Sequence, residues 1–156
     1  MERIEHDEII DRPVHTVYNQ WTQFEEFPHF MEGVKSVRQI DATHLLWRAE
    51  IGGKDVEWEA EIIDQVPDQR IVWKSVAGAQ HGGKVEFQPE GPDRTRVTLV
   101  MEYEPEGLVE NLGDALGVPG RQAKGDLQRF KDFIEAIGAE TGAWRGEVHR
   151  GRETPR

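Results

Sequence analysis

The chain has 156 residues, a length that fits one domain. Lys and Arg number 19 against 30 Asp and Glu, a formal net charge of −11, which disfavours nucleic acid as a partner because that needs a basic face. Hydrophobic residues at 37% suffice for a core, and the lack of Cys excludes disulfides, thiolate chemistry and Cys-ligated metal. No apolar run approaches the ~18 residues that span a bilayer. Met1 to His6 shows no apolar signal segment, so a cytoplasmic location without stable membrane insertion is the expectation.

Ile4–Ile10 reads as a first strand, stopped by Asp11-Arg12-Pro13. Asp11 is the expected N-cap of a short helix with Val14, Val17, Tyr18 and Trp21 on one face. Phe24, Phe27, Phe30 and Met31, interrupted by Pro28, predict a further helical turn that ends at Gly33. From Val34 the hydrophobic period becomes two. Val34–Ile40 is a strand, and Leu45, Trp47, Ala49 and Ile51 share one face of the next. Gly52-Gly53-Lys54 marks a hairpin. Val56, Trp58, Ala60 and Ile62 then alternate with Glu57, Glu59 and Glu61, which predicts a sheet covered on one face and wet on the other. Pro67-Asp68-Gln69 is a turn, and Ile71, Trp73 and Ser75 share a face. Gly78–Gly83 is expected as a glycine-rich loop before strands at Lys84–Gln88 and Arg94–Tyr103.

After Pro105 the period returns to that of a helix. Leu108, Val109, Leu112 and Leu116 form one stripe, Gly117–Gly120 a break, and Ala123, Leu127, Phe130, Phe133, Ile134 and Ile137 a stronger stripe that Gly138 closes. Residues 139–156 carry few apolar side chains and read as a peripheral C-terminal tail on a domain of residues 1–138. The order implies an α+β helix-grip architecture, in which a curved seven-stranded antiparallel sheet wraps around a long C-terminal helix.

Several stretches carry a family resemblance. They are Trp21–Val34, Trp58–Ile62, Pro67–Trp73, Gly83–Phe87, Tyr103-Glu104-Pro105 and Asp126–Lys131. Over residues 2–138 the chain resembles the START-like (SRPBCC) superfamily, and within it polyketide cyclase/dehydrase and coenzyme-Q-binding START-like proteins. That superfamily includes lipid carriers, aromatase/cyclases, hormone receptors and ribosome-associated proteins, so the fold by itself selects no function.

His6, His15, His29, His44, His81 and His149 contain no helical i, i+4 pair, so no metal site is expected. His81, in the glycine-rich segment, is the one histidine with a plausible place at a cavity mouth. Glu57, Glu59 and Glu61 read as a solvated face and not as acid/base groups, which need desolvation. Gly78–Gly83 has no Lys-Ser/Thr and precedes a strand, which excludes a phosphate loop. Ser36 and Ser75 are the only serines, and neither stands on a strand-to-helix elbow. The tail from Trp144 holds four Arg and two Glu, a basic end on an acidic body.

Trp47, Trp58, Trp73, Phe87, Leu99, Met101, Leu127, Phe130 and Ile134, with Tyr103, read either as a filled core or as the lining of an apolar cavity. The resemblance implies the cavity, between sheet and helix, with Ser75 and Tyr103 as polar groups and Arg48, on the Glu50 face, as a weaker one. The leading expectation is binding of a hydrophobic small molecule or lipid there, without chemical conversion and without a cofactor. The rivals are an aromatase/cyclase-like dehydratase acting on a polyketide-like substrate, and a protein-interaction module. A hinge at Gly117–Gly120 would make Leu108–Leu116 a lid.

Overall fold

A computed structural model describes residues 2–31, 33–51, 53–78, 81–103, 118–150 and 152–154. Seven strands form one antiparallel sheet: β1 Glu2–Ile10, β2 Val34–Gln39, β3 His44–Ile51, β4 Lys54–Val66, β5 Arg70–Gly78, β6 His81–Pro89 and β7 Thr95–Tyr103. Their order is β1-β7-β6-β5-β4-β3-β2, so β1 closes onto β7 while β2 to β7 follow one another as a meander. The sheet curls around the C-terminal helix as a half-barrel, the architecture that the switch of period predicts. The helix α2 spans Val118–Ile137. Most of its stripe is buried, with Ala123, Leu127, Phe130 and Ile134 at 5% exposure or less and Phe133 half-buried, whereas Ile137, at the end of the last turn, is 43% exposed. Gly138 caps it with φ 75° and donates its N–H to the Ile134 carbonyl at 3.1 Å. The expected break at Gly117–Gly120 is corrected over its described part, since Val118, Pro119 and Gly120 form the first turn of α2, where Pro is tolerated. The expected lid, Leu108–Leu116, and Gly117 lie outside the described residues.

Helix α1, Val14–Trp21, presents Val17, Tyr18 and Trp21 to the core. Its cap differs from the expectation. Pro13 occupies the N-cap in extended conformation with no side-chain cap. Asp11 instead donates its backbone N–H to Glu135 Oε2 at 2.8 Å and accepts from Arg94 Nε at 3.0 Å. The backbone N–H thus serves a tertiary contact with α2, and the carboxyl one with Arg94, just before β7. A 3₁₀ segment follows at Phe24–His29 and carries Pro28.

Aromatic rings lock these pieces together. Trp21 meets Phe130 edge-on at 4.8 Å, Tyr18 meets Phe87 at 5.2 Å and Phe30 meets Phe130 at 5.1 Å. Edge-to-face pairs of this kind add about 0.5–1.5 kcal/mol each beyond the area that they bury. Polar clamps fix the helix against β1: Lys131 Nζ donates to the Ile9 carbonyl at 2.9 Å and to Glu135 at 2.7 Å.

Two expectations about loops are corrected. Gly78 ends β5, and His81, Gly82 and Gly83 begin β6, so most of the glycine-rich segment is strand. The alternative conformational freedom of glycine suggests a loop, but the ladder to β7, with His81 opposite Tyr103 and Gly83 opposite Met101, extends the strand. Residues 139–149 are likewise no loose tail. Val148 is fully buried. Glu147–His149 (β8) pairs with Asp64 and Gln65 of β4, and Arg152–Thr154 (β9) pairs with β8. β3 leaves β4 at Glu61, so the far end of β4 has an open edge that β8 fills.

Candidate functional site

Register decides which side chains share the inner face of the sheet. Leu45, Trp47 and Ala49 of β3 face inward, opposite Ala60, Trp58 and Val56 of β4. Trp73 and Ser75 of β5 lie opposite Ile62 and Ala60. Gly83 and Val85 of β6 lie opposite Trp73 and Ile71, and Met101 and Leu99 of β7 follow across the sheet.

The packing divides this face in two. One part is a closed core, where α1, the 3₁₀ segment and α2 cover the sheet. It holds Phe87 (5% exposed), Leu99 (6%), Leu127 (2%) and the fully buried Phe130 and Ile134. The other part is a smaller cluster of Ala49, Trp58 and Ala60, with Trp47, Val56 and Trp73 half-buried around them. Trp47 and Trp58 stack with centroids 5.5 Å apart and planes 10° from parallel. Trp47 also meets Phe27 at 5.5 Å, which joins the two parts. The tryptophans stand on three adjacent strands with alanines between them.

Glycine at position 83 belongs to this arrangement. A Cβ there would lie 2.9 Å from the Trp73 ring and would run into the Val100 carbonyl. The indole of Trp73 therefore lies across a strand that has no side chain, a close approach that only glycine permits.

The expected site residues thus fall into two groups. Trp47, Trp58 and Trp73 come together, with the half-buried Ser75 on the same face, while Trp47 and Trp73, together with the half-buried Met101, also pack against the closed core. Phe87, Leu99, Leu127, Phe130 and Ile134 are in the closed core. His81 and Tyr103 are register partners at the start of β6 and the end of β7. Their side chains are outside the described set. Arg48 lies on the outer face, where its Nε donates to Glu57 at 2.8 Å. Glu57 is exposed as expected, whereas Glu59 is half-buried. Glu61 is half-buried between His44 Nε2 at 3.7 Å and Lys74 Nζ at 4.0 Å. Ala49, Ala60, Gly83 and Phe27 were not expected at a site, although alternation already places both alanines on the tryptophan face.

The chemistry of the cluster is that of an apolar surface. Indole, thioether and methyl groups transfer no proton near neutral pH, and Ser75 supplies a hydroxyl. The strongest perturbation lies elsewhere. At the β2–β3 turn, the Thr43 backbone N–H and the His44 ring hold the Asp41 carboxyl at a pKa of about 2. Glu135, at the α2–β1 contact, is lowered even though burial opposes it, because Lys131 and the Asp11 N–H bind its charged form. No group of three or more residues suited to hold a metal ion occurs among the described residues.

A half-barrel gripping a long helix over an apolar inner face defines a START-like protein, and the comparisons agree. Residues 10–132 match the family model of polyketide cyclase/dehydrase and lipid transport proteins, and the chain belongs to that family. It is 47% identical over 149 residues to an uncharacterized 17.2 kDa protein of Streptomyces lincolnensis, covering 95% of this chain and 99% of that one. Among solved structures, the Zhui aromatase/cyclase of a Streptomyces species matches with a TM-score of 0.73 over 92% of this chain and 99% of its own, at 13% identity. A START superfamily protein of Mycobacterium smegmatis matches with a TM-score of 0.68 over 86% and 95%, again at 13% identity. At such identities the likeness is one of fold. No helix among the described residues is long and apolar enough to cross a membrane.

Proposed function

We propose that the protein binds a hydrophobic small molecule or lipid against the Trp47–Trp58–Trp73 surface and releases it unchanged. The observation that carries this reading is the split of the inner face. Three indoles with alanines and a glycine between them form an apolar cluster beside the closed core. Two of the three indoles, Trp47 and Trp73, are only half-buried, which leaves apolar ring surface for a flat or flexible guest. Burial at roughly 25 cal/mol per Å² of apolar ligand area supplies the driving force, less the cost of immobilising the guest. Ser75, on the same strand face as Trp73, offers a hydrogen bond to a polar head group.

The second reading is an aromatase/cyclase-like dehydratase acting on a polyketide-like substrate, as the family description allows. It needs an acid/base pair on the inner face. The described groups with shifted pKa values are Lys35, Asp41, Arg96 and Glu135, and they sit at outer-face pairs, a turn and a helix–strand contact. Binding without conversion is therefore the better supported of the two.

Titration with an apolar fluorophore tests the proposal. Trp47→Ala and Trp73→Ala should each weaken binding by about tenfold. Ser75→Ala should change the preference among ligands with polar heads. Failure of every apolar fluorophore to bind up to its solubility limit would refute the site. Turnover of a polyketide-like substrate that disappears in a Ser75, His81 or Tyr103 variant would move the protein to the enzyme class.

A further inference from the structure

The outer face of the sheet carries a feature that the apolar reading does not use. A groove of about 530 Å³ opens there across β5, β6, β7 and β1. Its side-chain walls come from two alternate cross-strand rows, and Trp73, Ser75 and Gly83, whose side-chain face is the inner one, complete the lining between and beside them. One row runs Val72, Lys84, Val100, Glu5, and the other runs Lys74, Gly82, Glu102, Arg3. Adjacent rows of equal parity share a face, and this one is opposite Trp73 and Met101. Gly82 makes the groove, since it leaves the place between Lys74 and Glu102 without a side chain. Val72 and Val100 give an apolar floor.

Three cations against one carboxylate line the groove, in a chain whose net charge is −11. The cations are also loosely held. Lys84 is 3.4 Å from Glu86, Arg3 is 3.6 Å from Glu5 and Lys74 is 4.0 Å from Glu61. Other ion pairs on this face are tight: Arg48–Glu57 at 2.8 Å and Arg96–Asp7 at 2.5 Å. Exposed pairs at the longer distances contribute little, so turning these cations toward a ligand costs little.

We infer that this groove is a binding site for a small phosphate-bearing solute, separate from the apolar site on the other side of the sheet. Donors reach it from β1, β5 and β6. A tetrahedral dianion presents oxygens to all three, whereas a planar carboxylate presents only two. Arg3 supplies a fork of N–H donors, and the two lysines supply point charges. The inference is independent of the ligand proposed for the inner face.

Amide NMR titration with inorganic phosphate and with glycerol 3-phosphate tests it. The expected result is saturable shifts confined to residues near 3, 72–74, 82–84 and 100–102. Lys84→Glu and Lys74→Gln should each weaken binding by about tenfold or more. Lys35→Glu, the same charge change as Lys84→Glu but placed on β2, should leave it unaltered. The spectra report directly that each variant is folded. Shifts that never saturate, or an equal loss in Lys35→Glu, would reduce the effect to net charge and overturn the site. A response to phosphatidylglycerol vesicles without one to the soluble phosphates would also overturn it, in favour of a membrane surface.

Discussion

Phe130 and Trp73 both point to the interior, yet they differ in what surrounds them. Phe130 is fully buried between Trp21 and Phe30, so its truncation opens a void that rigid rings do not fill. Phe130→Ala should cost about 3–5 kcal/mol in urea denaturation. Trp58, 6% exposed and stacked on Trp47, belongs to the same range. Trp73 is half-buried, and Trp73→Ala should cost clearly less than either. Equal losses for all three would mean that the tryptophan cluster is ordinary core. Asp41 offers a second test at this scale. Its folded pKa of about 2 lies below the ordinary 3.8 because the Thr43 N–H, then the His44 ring, bind the carboxylate. A folded value below the unfolded one means that the contribution to stability is complete above the ordinary value and disappears as pH falls through about 2. Carboxyl NMR of Asp41 should therefore titrate well below the other exposed carboxylates. His44→Ala should raise the midpoint without restoring it fully, since the Thr43 N–H remains.

The C-terminal segment shows how an element is placed by polar contacts that periodicity does not report. Three side chains from the end of α1 receive it. Gln20 Oε1 accepts from the Thr141 N–H at 2.8 Å, Thr22 Oγ1 accepts from the Trp144 N–H at 3.1 Å, and Asn19 donates to Glu140 at 2.8 Å. Arg145 completes the clamp. Its guanidinium donates to Asn19 at 2.6 Å and to Asp68 at 2.7 Å, and it lies 5.5 Å from the Tyr18 ring centroid. Arg145→Ala should destabilise by about 1–2 kcal/mol, an amount discounted for partial exposure. Arg145→Lys should recover little of that, because an ammonium does not reproduce the fork or the face contact. Full recovery by lysine would show that only the charge matters. Thermal melts of the two variants decide it.

For the molecule as a whole, the excess of carboxylates is the dominant electrostatic fact. Short ion pairs such as Lys35–Asp55 at 2.7 Å and Arg70–Asp64 at 2.6 Å neutralise part of it locally. The remainder repels at long range, where added salt screens most effectively. Raising salt from low to moderate concentration at neutral pH should therefore raise Tm. A fall would mean that the loss of attractive pairs outweighs the relief of repulsion.

The sequence by itself determined the local order. Alternation set the strands and the faces of Trp47, Trp58 and Trp73, and the 3.6 period set the buried stripe of α2. Both signals arise from neighbours a few residues apart that share one side of an element. Tertiary structure alone decided four matters. It divided the inner face into a covered core and a tryptophan cluster, because coverage depends on where α1, the 3₁₀ segment and α2 come to rest. It gave Asp11 to Glu135 of α2 and to Arg94 instead of to a helix cap, and it turned Gly82 and Gly83 into strand through their ladder to β7. It also brought Arg145 onto Asn19 and Asp68, groups separated by 126 and 77 positions. Polar partners that distant leave no periodic trace in a chain, since their match is made in space after the apolar faces have folded.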